Sequence, residues 1–156
     1  MVMLKFFFIF VSLALPVLSF SQNKEDDILG NWIATDHSVA VNVYKVNGQY
    51  RAKVLWFDDR LGSGRPMNLR HDTENPNPEL RTRKIIGMEI LEGLRYDPET
   101  HSWEHGRIYD GTTGRTWDSS AEIKEGILKV RGYWKFKWIG KSMTFRKTRE
   151  TTFTKK

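Results

Sequence analysis

After residue 29 the sequence consists of short segments in which apolar and polar residues alternate, separated by turn residues. The clearest pair, VAVNVYKV and QYRAKVLWF, flanks Asn47-Gly48. An Asn-Gly pair between alternating segments is a strong β-hairpin signal, because a tight primed turn needs positive φ at both positions. Alternation of this kind is typical of a half-buried strand. The apolar face of the second segment consists of Tyr50, Ala52, Val54 and Trp56.

Eight segments of five to ten residues share this character. After residue 21, no stretch holds an apolar stripe at helical spacing for three turns. The sequence therefore predicts an all-β chain of mostly sequential hairpins. In the fourth segment the alternation puts Ile86, Met88 and Ile90 on one face. The predicted strands are GNWIATD, VAVNVYKV, QYRAKVLWF, KIIGMEIL, SWEHGRIY, GRTWDSSAEI, ILKVRGYW and SMTFRKT.

The glycines of GRIYDGTTGRTW, residues 106–117, raise the question of a phosphate-binding loop. Such a loop needs a helix behind it, because the amides at the helix N-terminus hold the anion. Here Gly114 leads into an alternating strand. The glycines are therefore predicted to form a turn, and we expect no nucleotide and no other cofactor.

Eight sequential antiparallel strands leave exposed edges unless the sheet closes on itself. We therefore predict a single eight-stranded up-and-down barrel, whose interior is filled by side chains or holds one small ligand. Gly30-Asn31-Trp32 at the start and Arg146 near the end resemble the lipocalin-type barrel, in which a Gly-x-Trp packs under a cationic side chain. A two-sheet sandwich is the main alternative.

An outer-membrane barrel is a further alternative, because its strands also alternate. Three observations disfavour it. Glu89 lies on a predicted strand, and His105 and Arg107 are expected to share a face with Trp103 and Tyr109. The chain also ends in TTFTKK, without a terminal aromatic residue.

The N-terminus reads as a secretory signal: one lysine, an apolar run over residues 6–15, and Ser19 and Ser21 before the predicted cleavage. The apolar run is roughly half the length that crosses a bilayer. We expect an exported protein, periplasmic or extracellular, with no transmembrane segment after cleavage. Without cysteine, its domain must be stabilised by burial alone. We predict a signal over 1–21, a linker over 22–29, the barrel over 30–149 and a basic tail over 150–156.

One connection is too long for a hairpin. Residues 58–83 read DDRLGSGRPMNLRHDTENPNPELRTR, and loops of such length are often functional or mobile. Asn75-Pro76 and Asn77-Pro78 favour extended or turn geometry. We predict one helical turn from Pro78 and entry into a strand at Lys84.

This loop and the segments after it resemble the exported bacterial family catalogued as domain of unknown function 2147. The similarity rests on NPNPELRTRKIIGMEIL, W..GRIYDGTTGRTW and LKVRGY. In this family a tyrosine is commoner at Trp117 and a tryptophan at Phe145. The resemblance implies a lipocalin-like barrel and no established activity. The matching positions are Asn75, Pro76, Arg81, Arg83, Gly87, Gly106, Tyr109, Gly114, Gly132 and Arg146.

The candidate ligand-binding residues fall into two groups. In the first group, an arginine fork above the barrel mouth would receive a carboxylate or phosphate. Alternatively, the same arginines tie the loop down through backbone carbonyls and a carboxylate such as Glu89 or Glu79. In the second group, aromatic side chains either line a cavity or fill it. The candidates are Asn75, Arg81 and Arg83 in the first group, and Trp56, Tyr109 and Trp117 in the second.

Catalytic and metal-binding patterns are weak. His101 and His105 would lie roughly 13 Å apart on an extended strand, too far apart to share a metal ion. His37 and His71 follow no spacing pattern. No nucleophile elbow appears. We therefore expect no metal site and no enzymatic activity, although an enzyme of unassigned chemistry remains an alternative.

The positive charge near the C-terminus indicates which kind of partner the protein could bind. Residues 129–156 contain ten lysines or arginines and one acid, Glu150. Such a segment attracts polyanions, and outside the cytoplasm these would be anionic envelope lipids rather than nucleic acid. We expect a barrel that binds a small apolar or amphiphilic ligand. The alternative is a ligand-free structural or interaction module that docks an anionic partner of the cell envelope.

Overall fold

A computed structural model describes residues 24–150 and residue 153, and this part of the chain forms eight β-strands. The predicted signal, residues 1–21, lies outside the described residues, as does most of the predicted tail. The strands agree in number with the alternating segments of the sequence. They are β1 Gly30–Ala34, β2 Val39–Val46, β3 Gln49–Phe57, β4 Glu89–Asp97, β5 Ser102–Asp110, β6 Arg115–Lys124, β7 Ile127–Tyr133 and β8 Gly140–Thr148.

Each strand pairs antiparallel with the next, and β8 pairs with β1 to close the barrel. The prediction of a single up-and-down barrel is confirmed, and the two-sheet sandwich is wrong. Because successive strands run in opposite directions, the connections collect at two ends. The open end carries the β1–β2, β3–β4, β5–β6 and β7–β8 connections. The closed end carries the other three, together with the residues that precede β1.

The β2–β3 hairpin has the predicted turn. Asn47 and Gly48 both have positive φ, 51° and 74°, which is what a primed two-residue turn requires. The alternation of β3 is also confirmed, since the predicted apolar face of Tyr50, Ala52, Val54 and Trp56 is buried whereas Lys53 is exposed. Apolar side chains therefore face the barrel interior.

The closed end is covered by a short 3₁₀ helix, Lys24–Ile28. Ile28 is fully buried. The indole N–H groups of Trp32 and Trp103 donate to carbonyl oxygens of this helix, at 2.8 and 3.0 Å. The Tyr50 hydroxyl donates to an acidic side chain of the helix at 2.8 Å. This part of the predicted linker over 22–29 is therefore packed against the barrel.

The cation that packs on Trp32 is Lys147, and the expectation for Arg146 is wrong. The Lys147 Nζ lies 5.4 Å from the centre of the Trp32 ring and donates to a carbonyl oxygen of the 3₁₀ helix at 2.9 Å. In the β1–β8 pairing Lys147 stands opposite Trp32, whereas Arg146 stands opposite Ile33 and is exposed. The register between β1 and β8 therefore determines which of the two cations packs on Trp32.

Strand β4 begins at Glu89, so the prediction that it starts at Lys84 is wrong. Residues 84–88 belong to the long connection, which therefore spans 58–88. Gly87 has a φ of 81° and donates its N–H to the Val54 carbonyl at 2.8 Å. This left-handed turn interrupts the apparent alternation. Within the connection the predicted helical turn is present as a 3₁₀ turn, Pro78–Leu80.

The face assigned to His105 is also wrong. The pairing of β5 with β6 shifts between Trp103 and Gly106, and His105 has a φ of 62°. This bulge adds one residue, after which the alternation is reversed. Trp103 and Gly106 are buried, whereas His105 and Arg107 are exposed.

Candidate functional site

The barrel encloses a cavity of about 650 Å³ that is partly open to solvent. Its floor is Ile28 of the 3₁₀ helix, and its walls come from every strand except β1. The wall side chains are mostly short and aliphatic. They include Val41, Val43, Ala52, Leu91, Leu128 and Val130.

Three large aromatic side chains of the core, Trp32, Tyr50 and Trp103, lie at the closed end and leave the middle of the barrel to smaller side chains, although Phe145 forms part of the cavity wall. Trp32 and Trp103 are almost fully buried and bond the 3₁₀ helix at the closed end. Above them the inward positions hold alanine, valine and glycine, for example Ala52, Val130 and Gly132. Such side chains do not reach across the interior of an eight-stranded barrel, so a void remains in the upper half.

Polar groups occur on the cavity lining near the open end. Asp110 accepts hydrogen bonds from Thr112 N–H at 2.9 Å, from its hydroxyl at 2.6 Å and from the Thr113 hydroxyl at 2.9 Å. Burial alone would raise the pKa of Asp110, but these hydrogen bonds outweigh it and lower the pKa. The Asp110 carboxylate therefore stabilises the β5–β6 turn. Lys141 also lines the cavity and forms no ion pair with any described residue.

Two tryptophans stand at the rim of the cavity. Trp117 of β6 and Trp134, the first residue after β7, pack edge to face with ring centres 6.0 Å apart. Both line the cavity. An apolar interior with aromatic and polar groups at its mouth suits a ligand whose apolar body enters first.

Beside the mouth, a buried carboxylate gathers several of the sequence-predicted residues. Asp72 is fully buried. It accepts hydrogen bonds from the Tyr109 hydroxyl at 2.6 Å, from Asn75 Nδ2 at 2.7 Å and from Arg83 Nε at 2.9 Å. The Arg83 Nη2 lies 2.8 Å from the same carboxylate. Burial first, and then the hydrogen bond to Asp72, raise the pKa of Tyr109 to about 12.

The part of the long connection around Glu74 and Pro76 is held against the β5–β6 turn. Arg81 Nε donates to the Asn75 carbonyl at 2.8 Å. The backbone at Gly114 lies so close to Glu74 that a β-carbon there would be 1.9 Å from the Glu74 carbonyl oxygen. Five positions of the family pattern therefore lie together where the long connection meets the β5–β6 turn: Asn75, Pro76, Arg81, Arg83 and Gly114.

The structure thus brings together four of the six predicted ligand-binding residues: Asn75, Arg81, Arg83 and Tyr109. Trp117 lines the cavity. Trp56 is buried but lies outside both the cavity lining and the main core cluster. Their role in ligand binding stays a prediction. Glu89, one of two carboxylates expected to hold the arginines, instead pairs with Arg51 at 3.0 Å.

Sequence reasoning missed two kinds of residue: the polar residues Asp72 and Lys141, and the aliphatic residues of the cavity wall. Asp72 lies in a loop rich in charged residues, where nothing distinguishes it from its neighbours. The aliphatic wall carried a usable signal, because Val39, Val41 and Val43 alternate in VAVNVYKV. Lys141, next to a glycine in a basic segment, carried none.

In the part of the chain that the structure describes, no three His, Cys, Asp or Glu side chains are arranged to hold a metal ion. None of the helices in this part has the length and apolar character needed to cross a bilayer.

The comparisons with known proteins agree with the fold. A family model described as "Uncharacterized protein conserved in bacteria (DUF2147)" matches residues 30–147. The chain is also similar to a solved structure, protein HP1028 from Helicobacter pylori, which is described as belonging to the lipocalin family. The TM-score is 0.65 at 21% sequence identity, over 79% of this chain and 84% of that chain. A comparison with curated proteins finds no significant match.

Proposed function

The chain belongs to the DUF2147 family of bacterial proteins, and we propose that it binds a small apolar or amphiphilic molecule inside its barrel. The observation that carries this proposal is the cavity of about 650 Å³ with its aliphatic wall. Small-molecule sites are typically concave, mostly apolar and about 300–1,000 Å³ in volume. Burying apolar ligand surface there is favourable by roughly 25 cal/mol per Å².

The distribution of polar groups favours a defined orientation of the ligand. The floor at Ile28 is apolar, whereas Tyr109, Thr113 and Lys141 lie on the lining near the open end. An amphiphile would place its apolar part against the floor and its polar group at the mouth. Lys141 would favour a negatively charged or hydrogen-bonding polar group.

We propose a binding protein rather than an enzyme. The acidic groups near the mouth support this view, since Asp110 and Asp72 are engaged by turn and loop residues through the hydrogen bonds described above. We also propose that the protein is exported, on the basis of the signal-like residues 1–21. Detection of the processed chain in the periplasm or medium would test export, and an unprocessed chain in the cytoplasm would contradict it.

Filling the cavity tests the proposed ligand site. In Val130→Trp the new indole would occupy the void, so we expect the affinity for an apolar fluorescent probe such as N-phenyl-1-naphthylamine to fall more than about tenfold. Lys129→Trp is the matched control, because Lys129 is the adjacent residue of β7 and is exposed. Probe binding that is equally strong in both variants would place the probe outside the barrel and contradict the proposal.

Native mass spectrometry provides a second test that needs no chosen probe. Protein purified gently from its own host should carry an added mass that is lost on extraction with organic solvent. The Val130→Trp variant should lack this mass, whereas Lys129→Trp should retain it.

A further inference from the structure

The β7–β8 connection exposes an unusual amount of apolar surface. Residues 134–139 read WKFKWI, and we call this segment the rim turn. Four of its six side chains are large, apolar and about half or more exposed: Trp134 at 56%, Phe136 at 49%, Trp138 at 74% and Ile139 at 52%. Single apolar residues scattered over a surface are normal, whereas a contiguous exposed apolar patch of this kind marks an interaction surface.

The rim turn presents these side chains on an ordered backbone. Trp134 N–H donates to the Ile139 carbonyl at 3.0 Å, and Ile139 N–H donates to the Phe136 carbonyl at 2.9 Å. The rings of Phe136 and Trp138 stack with centres 4.5 Å apart and planes 9° apart. The aromatic surface is therefore held in place before a partner arrives.

Lysines interleave with the aromatic residues. The rim turn contains Lys135 and Lys137 and no acid, and Lys141 comes shortly after it. Lys137 pairs with Glu104 at 2.5 Å. Among the described residues, neither Lys135 nor Lys141 forms an ion pair. Two cations at this surface are thus available to an anionic partner.

The closed end of the barrel carries charges of both signs. Its 3₁₀ helix is acidic, but Lys45 pairs with Glu25 and Asp26 at 3.1 and 3.0 Å, and the exposed cations Lys147 and Arg149 also lie at this end. Among the described residues, the exposed phenylalanine and tryptophan side chains all lie in the rim turn. Aromatic surface combined with positive charge therefore favours docking through the open end.

We propose that the rim turn docks on an anionic phospholipid bilayer, with its aromatic rings in the interface and its lysines against the headgroups. Tryptophan favours the membrane–water interface, and each lysine near an anionic membrane strengthens binding. Trp134 and Ile139 also line the cavity. Docking in this way would bring the cavity mouth to the lipid surface. The inference does not require the cavity to hold a ligand.

Co-sedimentation with vesicles tests the proposal. Parent protein and variants would be purified from the producing bacterium in the same way, so that all share the same N-terminus. The parent should bind vesicles of phosphatidylethanolamine with about one-third phosphatidylglycerol, and bind phosphatidylcholine vesicles far more weakly. Phe136→Ala combined with Trp138→Ala should lower binding at least about tenfold. No binding of the parent to the anionic vesicles would overturn the proposal.

Matched controls separate the rim turn from overall charge and overall apolar surface. Lys135→Ser with Lys141→Ser should lower binding about fivefold per lysine. Arg146→Ser with Arg149→Ser removes the same charge from exposed sites nearer the closed end, and this pair should have a much smaller effect. Val46→Ala, on an exposed valine next to the β2–β3 turn at the closed end, should have none. Equal losses from the two charge pairs, or a folded aromatic variant that binds like the parent, would assign binding elsewhere and overturn the proposal.

Discussion

Removal of the Arg83 side chain separates a structural from a ligand-binding role for the long connection. Arg83 contacts the fully buried Asp72 through two nitrogens, at 2.9 and 2.8 Å, and its guanidinium lies 5.5 Å from the centre of the Tyr109 ring. In Arg83→Ala the carboxylate keeps its bonds to Tyr109 and Asn75 but loses its cation. We therefore expect a substantial loss of stability.

The structure sets the size of the loss. Breaking a buried ion pair by removing one partner costs about 3–5 kcal/mol, because the other charge is left uncompensated. The Arg83 side chain is 36% exposed, so solvent screening places the cost near the lower limit, about 3 kcal/mol. For a domain of this size that corresponds to a fall in Tm of about 10 °C. Urea unfolding and calorimetry would measure both quantities.

Arg81→Ala is the internal comparison. Among the described residues, Arg81 makes one side-chain hydrogen bond, to the Asn75 carbonyl, so we expect its removal to cost about 1 kcal/mol. Arg65→Ala, at an exposed site of the same connection, should be close to neutral. In the Arg83→Ala background, Asp72→Asn removes the uncompensated charge and should recover part of the lost stability, which a double-mutant cycle would quantify.

Two results would refute this reasoning. A loss below about 1 kcal/mol in Arg83→Ala would mean that the carboxylate does not depend on this cation. A variant of unchanged stability that no longer binds the apolar probe would show that Arg83 acts on the ligand instead.

Three further predictions concern other parts of the barrel. Gly114→Ala should destabilise by about 2–4 kcal/mol in urea unfolding, since the new β-carbon meets Glu74 and the φ is 68°; Gly126→Ala, with a φ of 75° and open space around it, should cost about 1 kcal/mol. The folded-state pKa of Tyr109 is about 12 against an ordinary 10. The free energy of unfolding that the neutral hydroxyl contributes is therefore fully present below pH 10 and is lost as the pH rises from 10 to 12. Tyr109→Phe should therefore flatten the alkaline decline in unfolding free energy and remove one late step from the tyrosinate absorbance titration. Trp103→Phe should cost about 1–2 kcal/mol in urea unfolding through the lost bond to the 3₁₀ helix, and a cost near zero would mean that this bond does not hold the helix in place.

The sequence predicted features that depend on neighbouring residues and missed those that depend on distant ones. Asn47-Gly48 specifies its own turn, so the β2–β3 hairpin could be placed accurately. The start of β4 was misplaced because residues 84–88 alternate like a strand, whereas the turn at Gly87 is bonded to Val54 of another strand. His105 gave no sign of its positive φ, and that single residue reverses the faces of the later residues of β5.

The candidate site was predictable only in part, for a similar reason. The loop motif correctly grouped Asn75, Arg81 and Arg83, but Asp72, on which two of them converge, has no distinguishing local pattern. A cavity is the space that side chains leave empty, so it depends on the position of every inward residue at once. The choice of Lys147 over Arg146 likewise depends on how the first and last strands pair.

The two ends of the barrel differ in a way that stability alone does not explain. At the closed end, Trp32, Tyr50 and Trp103 are buried and hydrogen-bonded to the 3₁₀ helix. At the open end an apolar void forgoes dispersion contacts, and large aromatic rings of the rim turn face solvent. Both features lower the stability that the same chain length could reach. A chain selected for stability alone would have filled the void and replaced Trp138 with a polar residue. Their presence together at one end agrees with the two proposals made above, binding of an apolar molecule and docking on a lipid surface. If both hold, loss of lipid binding in the rim-turn variants should also slow ligand uptake from vesicles.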